Sequence, residues 1–288
     1  MNPLKLLKEE DSHSLFRQAR ELAKSMPTIT ISGSFLDTHC SSAPYCRHCI
    51  WRARERFSTN FRRRVTKEEF VNRGIVARTE GIDWLYPVSG CIGPNLPDYF
   101  YECVSALKQV SDIAQYGLFT ALSKRSLELL KEAGVEGYRC AIESPNLSVF
   151  KAVRPNDNYD ARIQSIKESK KLGLKVWSGF IIGLGEELED IARGIEILKD
   201  LEVDAVLLNA FQPSPYTEME AANPPSPLLV AKAMAVTRIL MPNIDLIFTH
   251  NNEHWGLTAG CNAGMVYADS RRILEIKEMR KAIYSYKE

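Results

Sequence analysis

Along the chain, short apolar runs alternate with stretches in which apolar residues recur every three or four positions. The runs at 28–33, 82–90, 113–119, 138–143, 174–182, 203–210 and 243–249 predict strands, the first of them ended by Gly33. Between them, residues 66–79, 123–133, 160–172 and 225–240 predict helices, as do the faces Phe100, Cys103, Val104, Leu107, Val110 and Leu188, Ile191, Ile195, Leu198, Leu201. Thr66 opens its helix as a capping box with Glu69, while Gly134 and Gly173 stand where helices stop. Residues 1–26 read as one leading helix closed by Pro27. A weaker segment at 257–266 precedes a basic terminal helix from Arg271.

Strands apolar on both faces, alternating with amphipathic helices, indicate parallel βαβ units. Counted from Thr28 there are eight, the last weak, which predicts an α/β fold of the (βα)8 TIM-barrel type or a partly open relative of six to seven units. The chain reads as a single domain, with a helical cap over 1–27, the barrel over 28–266 and a C-terminal helix over 267–288. A doubly wound sheet is the rival, but it normally carries a glycine-rich turn after its first strand, and here that turn holds cysteines. The Pro-rich segment 212–227 reads as one long loop.

Composition narrows the partners. A chain of 288 residues with 45% apolar content and a net charge of +1 has no global pull toward nucleic acid or a membrane surface. Its first 26 residues are interspersed with charge rather than shaped as a signal peptide, and no stretch approaches a spanning length. The expectation is a cytoplasmic protein. Seven cysteines, an odd number, then argue for reduced thiols over a disulfide framework.

Three of those cysteines, Cys40, Cys46 and Cys49, fall within ten positions just past the first predicted strand. Disulfides pair in even numbers and a catalytic cysteine works alone, so the trio points to a soft metal or an iron–sulfur cluster. A cubane on three thiolates would keep one iron open; structural zinc, closed by His39 or His48, and ordinary loop cysteines are the alternatives. Cys91, Cys103, Cys140 and Cys261 read as small packing residues, with Cys91 set apart by its place at a strand end. In a barrel the chemistry sits at the carboxyl ends of the strands. Ser89-Gly90, Thr120, Glu143, Gly183-Leu184-Gly185-Glu186, Asn209, Gln212 and residues 250–254 all occupy such ends. Glu143 needs a cation to stay charged, which Arg139 or Arg162 offers.

Together these residues resemble a radical S-adenosylmethionine (SAM) enzyme, of the branch that holds biotin synthase and the FeFe-hydrogenase maturase HydE, over about residues 29–248. The Cys-x5-Cys-x2-Cys spacing departs by two residues from the usual Cys-x3-Cys-x2-Cys, and in that departure resembles HmdB (HcgA), which is linked to the iron-guanylylpyridinol cofactor of Hmd hydrogenase. The resemblance implies one 4Fe-4S cluster on Cys40, Cys46 and Cys49, with the fourth iron chelated by the methionine moiety of SAM. It implies His48 beside the adenine, Ser89 and Gly90 at the methionine amino group, and Glu143 with Arg162 on SAM. Ile182 would pack on adenine, and Phe211 and Gln212 would meet its edge. The implied chemistry is reductive cleavage of SAM to a 5′-deoxyadenosyl radical acting on a small molecule, such as a pyridinol precursor. Sulfur insertion, methyl transfer and rearrangement are the other reactions this scaffold hosts. The basic run Arg52, Arg54, Arg56 and Arg62-Arg63-Arg64 reads as a solvated face or as guidance for an acidic flavodoxin- or ferredoxin-type donor. Residues 250–255 read as a substrate-contacting loop or as ordinary surface.

Overall fold

The computed structural model of the chain describes residues 1–40, 46–49, 64–117, 120–249 and 253–267. Two helices, α1 (Pro3–Leu7) and α2 (Ser12–Ala23), precede the first strand. The leading helix is therefore broken, because Asp11 stops the run and accepts the Ser14 N–H as a new N-cap at 3.0 Å. The barrel then reads β1 (Ile29–Asp37), α3 (Lys67–Thr79), β2 (Trp84–Ser89), α4 (Asp98–Val110), β3 (Ala114–Gly117), α5 (Lys124–Glu132), β4 (Gly137–Arg139), α6 (Leu147–Val153) and α7 (Tyr159–Lys171). It finishes with β5 (Lys175–Ile182), α8 (Leu188–Asp200), β6 (Ala205–Ala210), α9 (Pro227–Leu240), β7 (Asp245–Thr249), α10 (Glu253–Thr258) and β8 (Ala263–Tyr267).

All eight strands are parallel in sequence order, and β8 closes on β1 through Ile29 opposite Ala263. The weak eighth segment is thus a short helix followed by a regular strand. Gly33 does not end β1; it pairs with Tyr86 and Tyr267, and the strand continues to a register shift at Asp37. Thr66 caps α3 through the Glu69 N–H at 3.1 Å, and Gly134 and Gly173 both take positive φ just past α5 and α7. The terminal helix from Arg271 and the end of the third predicted strand, Leu118 and Phe119, lie outside the described residues.

Period-two alternation splits the core in two. Ile31, Tyr86, Tyr116, Trp177, Leu207, Ile247 and Met265 fill the barrel interior, while a larger cluster including Leu85, Tyr138, Val176, Ile182, Val206 and Leu246 packs under the helices. At the amino-terminal end one device recurs four times. Asp83, Glu136, Asp204 and Asn262 each stand immediately before an even-numbered strand. Their side chains accept the N–H of the second residue of the preceding strand: Thr30 at 2.8 Å, Gln115 at 2.7 Å, Val176 at 2.7 Å and Leu246 at 2.9 Å. Their own N–H groups donate back to the carbonyls of those same four residues, at 3.0, 3.1, 2.8 and 3.1 Å. Each clip closes a small ring that fixes strand register where the ladder begins.

Candidate active site

The centre is built where β4 ends. Past Arg139 the chain still runs along β5, with the Cys140 N–H on the Trp177 carbonyl at 3.0 Å and the Ile142 N–H on the Gly179 carbonyl at 2.8 Å. Glu143 then adopts φ +65°, a left-handed conformation uncommon for a residue with a Cβ and costing on the order of 1–3 kcal/mol. Its carbonyl accepts the Ile181 N–H at 3.0 Å, so the turn is anchored to β5 as it leaves the rim. The carboxylate stays buried at the mouth.

Two guanidiniums and a second carboxylate complete a square around it. Arg162, in the first turn of α7, places Nη1 3.2 Å from Glu143 Oε1 and 2.7 Å from the Ala141 carbonyl. Its Nε and Nη2 grip Asp157 as a fork, at 3.0 and 2.6 Å. Arg154, just past α6, sets Nη1 3.5 Å from Glu143 Oε1 and Nε 2.7 Å from Asp157 Oδ2. Burial by itself would raise the Glu143 carboxyl, but Arg154 and then Arg162 outweigh it and hold the group below its ordinary range. For Asp157, burial is likewise overcome, by the hydrogen bond and charge of Arg162 and then by Arg154, and its carboxyl falls far below the usual value. Burial would discharge the two arginines, and Glu143 keeps both charged. Arg139 takes no direct part in the square: it points into the barrel one layer deeper and donates to Tyr86 Oη at 2.6 Å.

The cysteine turn is held against this square by backbone. Asp37, at the end of β1, accepts the His39 N–H at 2.8 Å, the His39 ring and Arg64 Nε at 2.8 Å. The Gly90 N–H donates to the Asp37 carbonyl at 3.1 Å. A Cβ on Gly90 would lie 2.1 Å from the His39 carbonyl oxygen, so only glycine lets the end of β2 approach the first cysteine this closely. Further on, the Cys49 N–H donates to the Cys46 carbonyl at 3.2 Å, the Arg47 N–H to the Val153 carbonyl at 2.9 Å, and the Arg47 carbonyl accepts the Glu218 N–H at 3.1 Å. Cys46 is buried, which pushes its thiol up; Arg154 pulls the other way, and Glu143 and Cys40 add to the rise. His48 is neutral, lowered to about 4 by burial and then by Arg154, and its buried Nδ1 has no partner among the described residues.

All seven cysteines are described and none is in a disulfide. Cys46 stands within electrostatic reach of Cys40, Arg154, Glu143 and Asp157. Among the described residues, no three His, Cys, Asp or Glu side chains converge to hold one metal ion. The donor set, the close approach at Gly90 and the orphaned His48 nitrogen therefore fit a cluster with a polar ligand beside it.

Of the other expected residues, Ser89 is buried and donates to the Gly90 carbonyl at 2.8 Å. Ile182 faces the helix layer and is fully buried there, which corrects its expected contact with a ligand; by alternation its neighbour Ile181 faces inward, partly exposed, beside Val153, Leu184 and Phe211. Phe211 donates its N–H to the Ile182 carbonyl at 2.8 Å, and Gln212 is exposed. Cys103, Cys140 and Cys261 are packing residues in the outer core, and Cys91 lies 3.6 Å from Thr120 Oγ1. Arg52, Arg54, Arg56, Arg62, Arg63, His250, Asn251 and Asn252 lie outside the described residues. Sequence reasoning assigned no role to Arg154 or Asp157. Their signal was spacing alone: Asp157 sits three residues after one arginine and five before another.

A family model described as the Radical SAM superfamily matches residues 39–198. A biotin synthase from Clostridium acetobutylicum is 32% identical over 147 residues, 51% of this chain and 44% of that protein. The [FeFe] hydrogenase maturase subunit HydE from Thermotoga maritima is 28% identical over 209 residues, 70% of this chain and 58% of that one. The chain thus spans about half the length of the curated relatives it matches. Among solved structures, methylornithine synthase (PylB) superposes with a TM-score of 0.85 at 19% identity, covering 98% of this chain and 90% of that one, a likeness of fold.

Proposed function

The chain belongs to the Radical SAM superfamily, of the biotin synthase and HydE type, and from that premise we propose that it cleaves SAM reductively at one 4Fe-4S cluster held by Cys40, Cys46 and Cys49. When bound, the cluster supplies the electron that splits the sulfonium into methionine and a 5′-deoxyadenosyl radical, which takes a hydrogen atom from substrate. The residues of the chain bind, orient and exclude water. Glu143, kept charged by Arg154 and Arg162, offers an acceptor for the methionine ammonium, and the arginines balance its carboxylate. The Ser89-Gly90 backbone lies on the same rim. His48 and Ile181 offer the adenine a neutral ring edge and an apolar face, with Phe211 behind them. The barrel walls keep the radical from water.

The observation that carries this reading is the placement of the Cys46 thiol beside the Glu143–Arg154–Asp157–Arg162 square. Anaerobic reconstitution with iron and sulfide tests it: a brown protein that forms 5′-deoxyadenosine under dithionite is expected, and a colourless protein or no nucleoside product would overturn it. Within this class, the Cys-x5-Cys-x2-Cys spacing favours the HmdB-type role, with a pyridinol precursor as substrate and a flavodoxin or ferredoxin as donor, in a cytoplasmic setting. Sulfur insertion with a second, sacrificial cluster is disfavoured, since Cys103, Cys140 and Cys261 lie in the outer core and the barrel interior presents aromatic rings and an arginine. Iron analysis should give about four atoms per chain rather than about six.

A further inference from the structure

Arg47, between the second and third cysteines of the trio, is bonded to the barrel at both ends of its backbone and through its side chain. Its N–H donates to the Val153 carbonyl at 2.9 Å, its carbonyl accepts the Glu218 N–H at 3.1 Å, and its Nε donates to Glu218 Oε2 at 2.8 Å. Two of these three bonds end on one residue, in the long loop between β6 and α9. Arg47 and Glu218 are both half-exposed, so their charge pair adds little to the stability of the whole fold. What it can govern is the opening of the segment it holds.

The loop presents Glu218 from a built turn. Tyr216 adopts φ +68°, strained for a residue with a Cβ, and its N–H donates to Glu220 Oε2 at 2.6 Å. Thr217 is buried and donates its hydroxyl to the Ser214 carbonyl at 2.8 Å, while its own carbonyl accepts the Glu220 N–H at 3.3 Å. Just past Glu218, Met219 and Ala222 pack into a small apolar cluster with Val153, Leu184 and Phe211. Val153 thus supplies both the acceptor for the Arg47 N–H and a wall for the loop that carries Glu218. A strained turn persists only where its surroundings over-determine it, and such turns collect where a group must be aimed. The group aimed here is Glu218, and its target lies between two of the candidate cluster ligands.

We propose that Glu218 is a positioning residue for the cysteine turn: it seats Arg47 against Val153, and through Arg47 it keeps Cys46 in its buried place beside Glu143. The carboxylate supplies two constraints at once, a direction through its bond to Nε and a charge that matches the guanidinium. This deepens the radical-enzyme reading, on which its meaning for a cluster rests, while the tether itself is measured in the unloaded chain.

The test is the rate at which iodoacetamide labels Cys46 in the full-length, unloaded protein, read peptide by peptide by mass spectrometry. A buried thiol reacts as its segment opens, so Glu218→Ala should speed Cys46 labelling by about fivefold, and Glu218→Gln, which keeps an acceptor for Nε, by less. Arg47→Met should speed it by a similar factor, and the double variant no further, because the same pair is lost in each case. Labelling of Cys103 and Cys261, which lie in the outer core, should not change. In reconstituted protein a chelator should strip iron from Glu218→Ala faster than from wild type by a comparable factor. Unchanged Cys46 labelling or equal stripping in Glu218→Ala would overturn the proposal. So would parallel acceleration at Cys103 and Cys261, the mark of a general loss of stability, or opposite effects of Glu218→Ala and Arg47→Met, the mark of a charge acting on the thiol rather than a tether. Formation of 5′-deoxyadenosine by the wild-type protein separates the two readings. Nucleoside product with Cys46 labelling insensitive to Glu218 removes only the tether; the expected labelling in a protein that takes up no iron removes only the radical reading.

Discussion

At the amino-terminal end of the barrel the same two-bond clip appears at Asp83, Glu136, Asp204 and Asn262. At the opposite end, Glu143, Arg154, Asp157 and Arg162 make a single charged square on one side of the ring. Both ends depend on side-chain oxygens, but their arrangements differ. The lower four are each answered by a backbone N–H that every fold of this kind must satisfy, with Lys108 added at Glu136 and Arg238 at Asn262, and none of them takes a positive φ. Glu143 is answered by two cations, in a left-handed backbone conformation that costs stability. A device that repeats around the ring serves the fold; a strained arrangement that occurs on one side of it is the one the proposed chemistry would use.

The sharpest way to break this contrast is at the cysteines. Replacing Cys40, Cys46 or Cys49 with Ala should reduce reconstituted iron from about four atoms to background and abolish 5′-deoxyadenosine, whereas Asp83→Ala should leave both intact. Next in size, Glu143→Ala should weaken SAM by about a hundredfold in anaerobic equilibrium dialysis, since two buried guanidiniums lose their shared acceptor. Asp157→Ala, which strands the Arg162 fork, should cost about 3 kcal/mol in chemical unfolding of the apoprotein. Asp83→Ala should cost about 1–2 kcal/mol in the same measurement through the unmatched Thr30 N–H, with SAM affinity unchanged. If it shifted SAM affinity as much as Glu143→Ala, the division between the ends would fail.

The smallest effect is in pH. The Asp157 carboxyl is depressed in the folded state, so its contribution is complete above the ordinary Asp value of about 3.9 and is lost as pH falls below it. Wild-type stability should therefore decline more steeply than that of Asp157→Asn as pH falls below about 4.

Much of this was legible from residue order. The alternation of β-type runs and helical faces gave the eight-unit barrel, and Thr66, Gly134 and Gly173 marked helix ends because capping and positive φ are local properties. The cysteine trio, Glu143 and Arg162 stood out as residue types with few uses in a core. What stayed hidden was set by three-dimensional neighbours. The clip residues, three acids and Asn262, look like ordinary turn residues until the adjacent strand is in place. Asp157 became visible only when α7 brought Arg162 back over it. Ile182 was preferred to Ile181 because one residue of register decides which side of the barrel wall a side chain occupies. Asp11 was the one local signal passed over, an N-cap concealed in a charged stretch.

The backbone of Arg47 has a bearing on biogenesis. Its N–H and carbonyl are stitched to Val153 and Glu218, segments from opposite flanks of the turn and more than a hundred residues downstream. The turn that carries the second and third cysteines is therefore anchored to the barrel only after translation has delivered the chain through β6 and beyond. Before then that short segment has its own Cys49–Cys46 backbone bond but neither of the two anchors that seat it at the rim.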